Sequence, residues 1–224
     1  MHNILVILLL FLSSVAYSSN HAFGLKLNGG VSRISNPVTF PYWTWNVRFG
    51  PSGSGGFYYN YQFDGRSILG AELLFSQIEG REEAKGLFDD GARGYETFHR
   101  SISYISLPVF YGFNYNKFTF QIGVQVSYAL RNNTKWSGYF ITSDGSRRDW
   151  DFTRVHNIDN FDFGPKAIVS YNIRDNFAIE ASYYYGVNDI ASKINWISVG
   201  VWRVQQATIG IKYAFWDSKR LKTK

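Results

Sequence analysis

Residues 117 to 130, KFTFQIGVQVSYAL, alternate without interruption. Phe118, Phe120, Ile122, Val124, Val126, Tyr128 and Leu130 fall on one side, and Lys117, Thr119, Gln121, Gly123, Gln125, Ser127 and Ala129 on the other. Successive side chains of an extended strand point to opposite faces, so the segment predicts a β-strand with one wholly apolar face. The period recurs in 23–32, 56–63, 66–80, 103–113, 161–173, 176–187 and 206–216, which makes eight strands. What the chain folds into depends on the solvent that the apolar face meets.

The connections between these strands alternate in length. Asp64-Gly65, Asn114-Tyr115-Asn116 and Arg174-Asp175 are short turns between strands two and three, four and five, and six and seven. Residues 34–55, 81–100, 131–160 and 188–204 read as long loops, with Gly and Asp punctuation such as SDGSRRDWD. Short turns at one rim and long loops at the other mark an antiparallel up-and-down barrel in a membrane; a soluble sandwich has no reason to segregate them.

The second face settles which side is wet. A soluble barrel points its apolar side inward and carries charge outside. Here the less apolar side is mostly Gly, Ala, Ser, Thr, Asn and Gln, a poor water-facing surface but a good filling for a narrow lumen. Charged residues are only 18% of the chain against 19% aromatic, and the aromatic surplus suits the girdles at a membrane interface. Trp43, Trp45, Trp136 and Trp216 are expected in those girdles. The apolar face of 117–130 therefore meets lipid.

The first residues, MHNILVILLLFLSSVAYSSN, hold an apolar run from Ile4 to Leu12 and an A-x-S spacing at Ala16 and Ser18. The run is shorter than the ~20 apolar residues of a spanning helix, and the segment 1–18 is expected to be a signal peptide, although no Lys or Arg precedes the run. The barrel domain is expected over 19–216, with a basic tail at 217–224. Cysteine is absent, which excludes a disulfide scaffold and thiolate metal sites. The net charge of +6 is scattered rather than lined along one element, so nucleic acid is not an expected partner.

The order GLKLNGGVS, AELLFSQIEG, ISYISLPVFYGF, FDFGPKAIVSYNI, IEASYYYGVNDI and QQATIGIKYAF resembles the bacterial outer-membrane β-barrel domain family, often labelled porin-family or PorT-like proteins. The Leu-Pro run at 105–110, Phe-Gly-Pro at 163–165 and Tyr-Tyr-Gly at 184–186 carry it most specifically. The resemblance implies an all-β, eight-stranded barrel in the outer membrane and supplies no catalytic residues, cofactor or metal. The expected role is a monomeric membrane anchor that displays four external loops. Its partners are the lipid bilayer and, through the loops, envelope or secretion proteins. The alternatives are a component of a secretion apparatus, a small-solute channel or a lipid-modifying barrel enzyme.

Five charged residues, Lys26, Glu72, Lys166, Glu180 and Lys212, fall on the inward phase. Lys166 and Glu180 are expected to pair across strands six and seven, and closure brings Lys26 and Lys212 onto adjacent strands. An eight-stranded interior is only wide enough for side chains, so these residues read as a structural network filling the lumen. For a hydrolase, His99 with Ser101 and Ser103 is the one candidate set. Asp144, Asp149 and Asp151 lack the spacing of a calcium loop and interleave with Arg147, Arg148 and Arg154, which reads as a salt-laced loop. Asn132-Asn133-Thr134 fits a glycosylation sequon.

Overall fold

Among the described residues nine antiparallel strands form in the order the alternation predicts, with one addition. In the computed structural model, which describes residues 21–35, 42–63, 65–88, 90–154, 158–191 and 202–217, they are β1 (His21–Ser35), β2 (Trp43–Gln62), β3 (Ser67–Leu87), β4 (Arg93–Tyr115), β5 (Phe118–Ile141), β6 (Arg147–Arg154), β7 (Phe161–Arg174), β8 (Phe177–Tyr185) and β9 (Arg203–Asp217). The expected leader at 1–18 and the tail beyond Asp217 lie outside the described residues. Each of the eight strands β1–β5 and β7–β9 pairs with its neighbours, and β1 pairs with β9, so the sheet closes on itself. Closure leaves no edge within the ring, a requirement for backbone polar groups in lipid. β6 stands outside the ring and, among the described residues, pairs with β5 alone.

The outward phase is apolar all round. Leu25, Leu27, Leu73, Phe75, Leu107, Val109, Ile122, Val124, Val126, Ile209 and Ile211 are all exposed. On β5 the band runs from Phe118 to Leu130, thirteen residues. At about 3.3 Å each and a tilt near 40°, this rises ~30 Å, the thickness of a bilayer's hydrocarbon core. At the turn end, Phe113, Phe120 and Phe118 stack and Tyr171 meets Phe118 at a tilt, an aromatic girdle that Phe23, Phe57 and Phe215 also join. Trp216 is exposed there opposite Phe23, in the expected position.

Much of what reads as loop is strand. β2 begins at Trp43, β3 runs on to Leu87, β4 begins at Arg93, and β5 continues to Ile141 before turning into β6. These extensions stand beyond the apolar band as a raised sheet of five strands, β2 to β6. Two bulges mark the junction, at Phe49/Ser52 on β2 and between Ala129 and Arg131 on β5, opposite Tyr104 and Ser103. Each inserts one extra residue and so reverses the phase of its strand. On β5 the even-numbered side faces lipid up to Leu130 and faces inward from Asn132 on, which carries Trp136 and Phe140 over the mouth. β3 has no bulge at this level; there the outward side changes from Leu73 and Phe75 to Gln77, Glu79, Arg81, Glu83 and Lys85. Across the junction the apolar side thus moves from outside to inside. Trp43, Trp45 and Trp136 accordingly sit on the inner face of the raised sheet and not in a lipid girdle, which corrects the expectation from composition.

Candidate functional site

The inward phase brings the five expected lumen residues together. Lys26, Glu72, Lys166, Glu180 and Lys212 are all buried. Lys26 Nζ lies 2.6 Å from Glu72 Oε1 and also contacts Glu180 Oε1. Lys212 Nζ lies 3.2 Å from Glu180 Oε2, over the ring of Tyr58 at 4.7 Å. Lys166 does not pair with Glu180 as expected: it donates to Gln125 Oε1 at 3.0 Å and approaches Glu72 Oε2 at 3.8 Å. The cause is stagger. Lys166 is register partner of Tyr184, whereas Glu180 lies opposite Ser170 and, on its other side, opposite Gly210, which sets its carboxylate beside Lys26 and Lys212. Apolar side chains fill the gaps, since Leu74, Phe110 and Ile168 are buried on the same phase; this is why the alternation of 66–80 is imperfect.

Above the network the mouth is capped by a small apolar core. Ile34, Ile78, Ile102, Ile158, Ile190, Trp202 and Val204 pack together with Tyr104 and Tyr184. Arg100 and Glu82 cover it from the raised sheet: Arg100 Nη1 lies 2.6 Å from Glu82 Oε2, and the guanidinium stacks 3.8 Å above the Trp202 ring. Burial raises the Glu82 carboxyl above the usual range, with Arg100 opposing that shift. Below the network, at the turn end, a cavity of about 550 Å³ is lined by amide side chains of Asn60, Asn114 and Asn172, with Lys212 and Tyr58 also in its wall.

The inner face of the raised sheet is a grid of three rows across β2, β3, β4, β5 and β6. The middle row is Trp45, Ala84, Glu96, Gly138 and Trp150. Farther from the membrane come Trp43, Gly86, Gly94, Phe140 and Arg148; nearer to it come Val47, Glu82, Phe98, Trp136 and Phe152. Phe98 stacks between Trp45 and Trp136, with centroids 5.7 and 5.3 Å away, and Phe152 meets Trp136 edge-on at 4.8 Å. Burial among these rings pushes the Glu96 carboxyl up to about 7. Sequence reasoning missed this face because the bulges hide its phase; the signal available was the spacing of Trp43 and Trp45 and of Trp136 and Gly138.

The remaining candidates disperse. His99 lies on the outer face of β4, between Arg81 and Lys135 in register, with burial as the largest cause lowering its pKa; Ser101 there accepts a hydrogen bond from Gln77. Asp144 accepts from Ser146 N–H at 2.9 Å inside the β5–β6 turn, Asp149 pairs with Arg147 at 2.8 Å, and Asp151 pairs with Lys135 at 3.1 Å. These are the contacts of a salt-laced hairpin. Asn132 of the sequon is buried on the inner face. Among the described residues no group of three His, Cys, Asp or Glu is arranged to hold a metal.

An apolar belt of bilayer height, a closed ring and short turns at one rim define a transmembrane β-barrel of the outer-membrane kind. The family model described as outer membrane protein beta-barrel domain matches residues 16–192. The chain belongs to this family and is a protein of the bacterial outer membrane. Among solved structures it is similar to the attachment invasion locus protein Ail of Yersinia pestis in complex with the heparin analogue sucrose octasulfate (14% identity, 88% of this chain and 99% of that one, TM-score 0.39). It is also similar to Neisserial surface protein A (14%, 88% and 98%, 0.40) and to the outer membrane protein OprG of Pseudomonas aeruginosa (12%, 88% and 97%, 0.42). No curated protein matches the sequence significantly.

Proposed function

We propose that the barrel is a closed, monomeric anchor that displays the raised β2–β6 sheet outside the cell, delivered by the leader read at 1–18. The observation that carries this reading is the filled interior. The Lys26–Glu72–Glu180–Lys212 contacts cross the lumen, Leu74, Phe110 and Ile168 occupy what they leave, and the apolar cap lies over them. Open aqueous channels belong to barrels of about 16 strands, and eight strands leave room only for side chains. The cavity at the turn end is then a dead-end cup, and the chemistry that faces outward is that of the raised sheet. Among the described residues no grouping of nucleophile, base and orienting group favours an enzyme reading over this one.

Planar-bilayer recordings test it. The purified protein is expected to give no large, steady conductance at incorporation levels where a 16-stranded porin opens readily. Large, stable openings from the unaltered protein would defeat the closed-anchor reading and restore a channel function.

A further inference from the structure

Glu96 stands at the centre of the inner-face grid, on a floor of small residues and inside a ring of large ones. Its neighbours in the row are Ala84 and Gly138, and Gly94 is next along its own strand on the same face. The absence of side chains there lets rings lean in. A Cβ on Gly94 would come within 2.6 Å of Trp43 Cη2, and one on Gly138 within 3.0 Å of Trp150 Cζ2. The register thus places Trp43, Trp45, Phe98, Trp136 and Trp150 on the same face in the rows and strands about one half-buried glutamate. Among the described residues no cation pairs with it. The facing charges are otherwise engaged or distant: Glu82, diagonal on β3, is paired with Arg100, and Arg148 on β6 lies two strands away and is exposed. Lys85 and Lys135 belong to the outer face.

The chemistry of this box selects its occupant. A neutral ring or acyl chain would lie against the indoles but leave the carboxylate without a counter-charge, at a cost in desolvation. A calcium ion wants six to eight oxygen ligands and would find one carboxylate. An alkylated ammonium group meets both demands, because its charge pairs with Glu96 and its methyl groups lie against the indole faces. We propose that the Trp43–Trp45–Phe98–Trp136–Trp150 box with Glu96 at its base binds a quaternary or otherwise alkylated ammonium group carried by a ligand outside the cell. This deepens the display reading by naming what the raised sheet takes.

The test uses the full protein folded in an uncharged maltoside detergent, with choline as probe and 3,3-dimethylbutan-1-ol as its neutral isostere. Binding is followed by tryptophan fluorescence and by calorimetry. At pH 8 choline is expected to bind saturably and about tenfold more tightly than the isostere, the increment of an ion pair combined with cation–π contact. Affinity should fall as pH is lowered through about 7, where Glu96 takes up a proton. Glu96→Gln should remove both the preference and the pH dependence, while Trp150→Leu should weaken choline several-fold with unchanged β-sheet circular dichroism. Equal binding of choline and isostere, a pH-independent affinity, an unaltered Glu96→Gln variant, or no binding at all would overturn the proposal. The two readings fail separately: silent bilayers without choline binding remove the box alone, and large openings in a protein that still binds choline remove the closed anchor alone.

Discussion

Lys26 on β1 and Lys212 on β9 stand directly opposite one another in the closing seam of the barrel, and the carboxylate of Glu180 on β8 touches both ammonium groups. Two like charges face each other in a lumen where they would repel, and one acid from the next strand holds them. The network as a whole sets three lysines, Lys26, Lys166 and Lys212, against the two carboxylates Glu72 and Glu180.

Removing the shared acid is therefore expected to be costly. Glu180→Ala leaves Lys26 and Lys212 opposed, with Glu72 alone against three cations, and should destabilise the folded barrel by about 3–5 kcal/mol, the range for breaking a buried pair. Urea unfolding in detergent micelles reads this out. The same variant should show small-ion leakage in bilayers, as water enters to solvate the lysines; a variant as stable and as silent as the parent would mean that the contacts carry little of the closure.

The edge of the lipid belt is expected between Phe75 and Gln77. Val124, at mid-height of the band, is 58% exposed, and Val124→Arg should cost about 2–4 kcal/mol, as cations do at a bilayer midplane. Gln77→Arg, on the outer face just beyond the belt, should stay within about 0.5 kcal/mol of the parent. Refolding into vesicles and measuring unfolding midpoints distinguishes them, and similar costs at both positions would place the belt elsewhere.

Stability should depend on pH through Glu96. Its carboxyl is raised to about 7 from an ordinary value near 4.5, so between these values the folded protein holds a proton that the unfolded chain has lost. Folding stability therefore falls as pH rises from about 4.5 to 7 and is flat on either side for this group. Glu96→Gln should flatten that slope, being more stable than the parent at pH 8 and indistinguishable at pH 4. The comparison is of thermal midpoints in detergent across that range.

Protease added to intact cells should cut the β5–β6 turn around Asp144-Gly145, which is exposed at the far end of the raised sheet, and spare Asn116-Lys117 at the opposite rim. Mass spectrometry of the released fragments locates the cuts. Cleavage at Asn116-Lys117 first would invert the orientation.

The belt, the eight-stranded ring and the identity of the lumen residues were legible because each rests on a period of two that needs no partner to be seen. Val124 and Gln125 are adjacent and opposite in phase, and the structure exposes one and buries the other. Pairing inside the lumen was not legible, because it depends on stagger: Lys166 and Glu180 sit on neighbouring strands yet at different heights. The raised sheet was hidden for a related reason. Leu130 and Arg131 both face outward at the bulge, so the phase that marks lipid in 118–130 marks the inner face in 132–140, and Trp136 reads as an interfacial residue when it belongs to the box around Glu96.

Among the described residues only part of the wall rises. β2 to β6 continue beyond the belt, while β7 begins at Phe161 opposite Tyr128 and β8 ends at Tyr185, near the level of the membrane. The molecule therefore has a back and a front in the plane of the membrane. A ligand gliding along the cell surface meets charged outer side chains such as Arg48, Arg81 and Lys135 from behind, and the aromatic interior from the low side. Rotation about the barrel axis, which is immaterial for a symmetric pore, becomes a steering coordinate here: how the protein is turned relative to its neighbours decides which approaches reach the sheet.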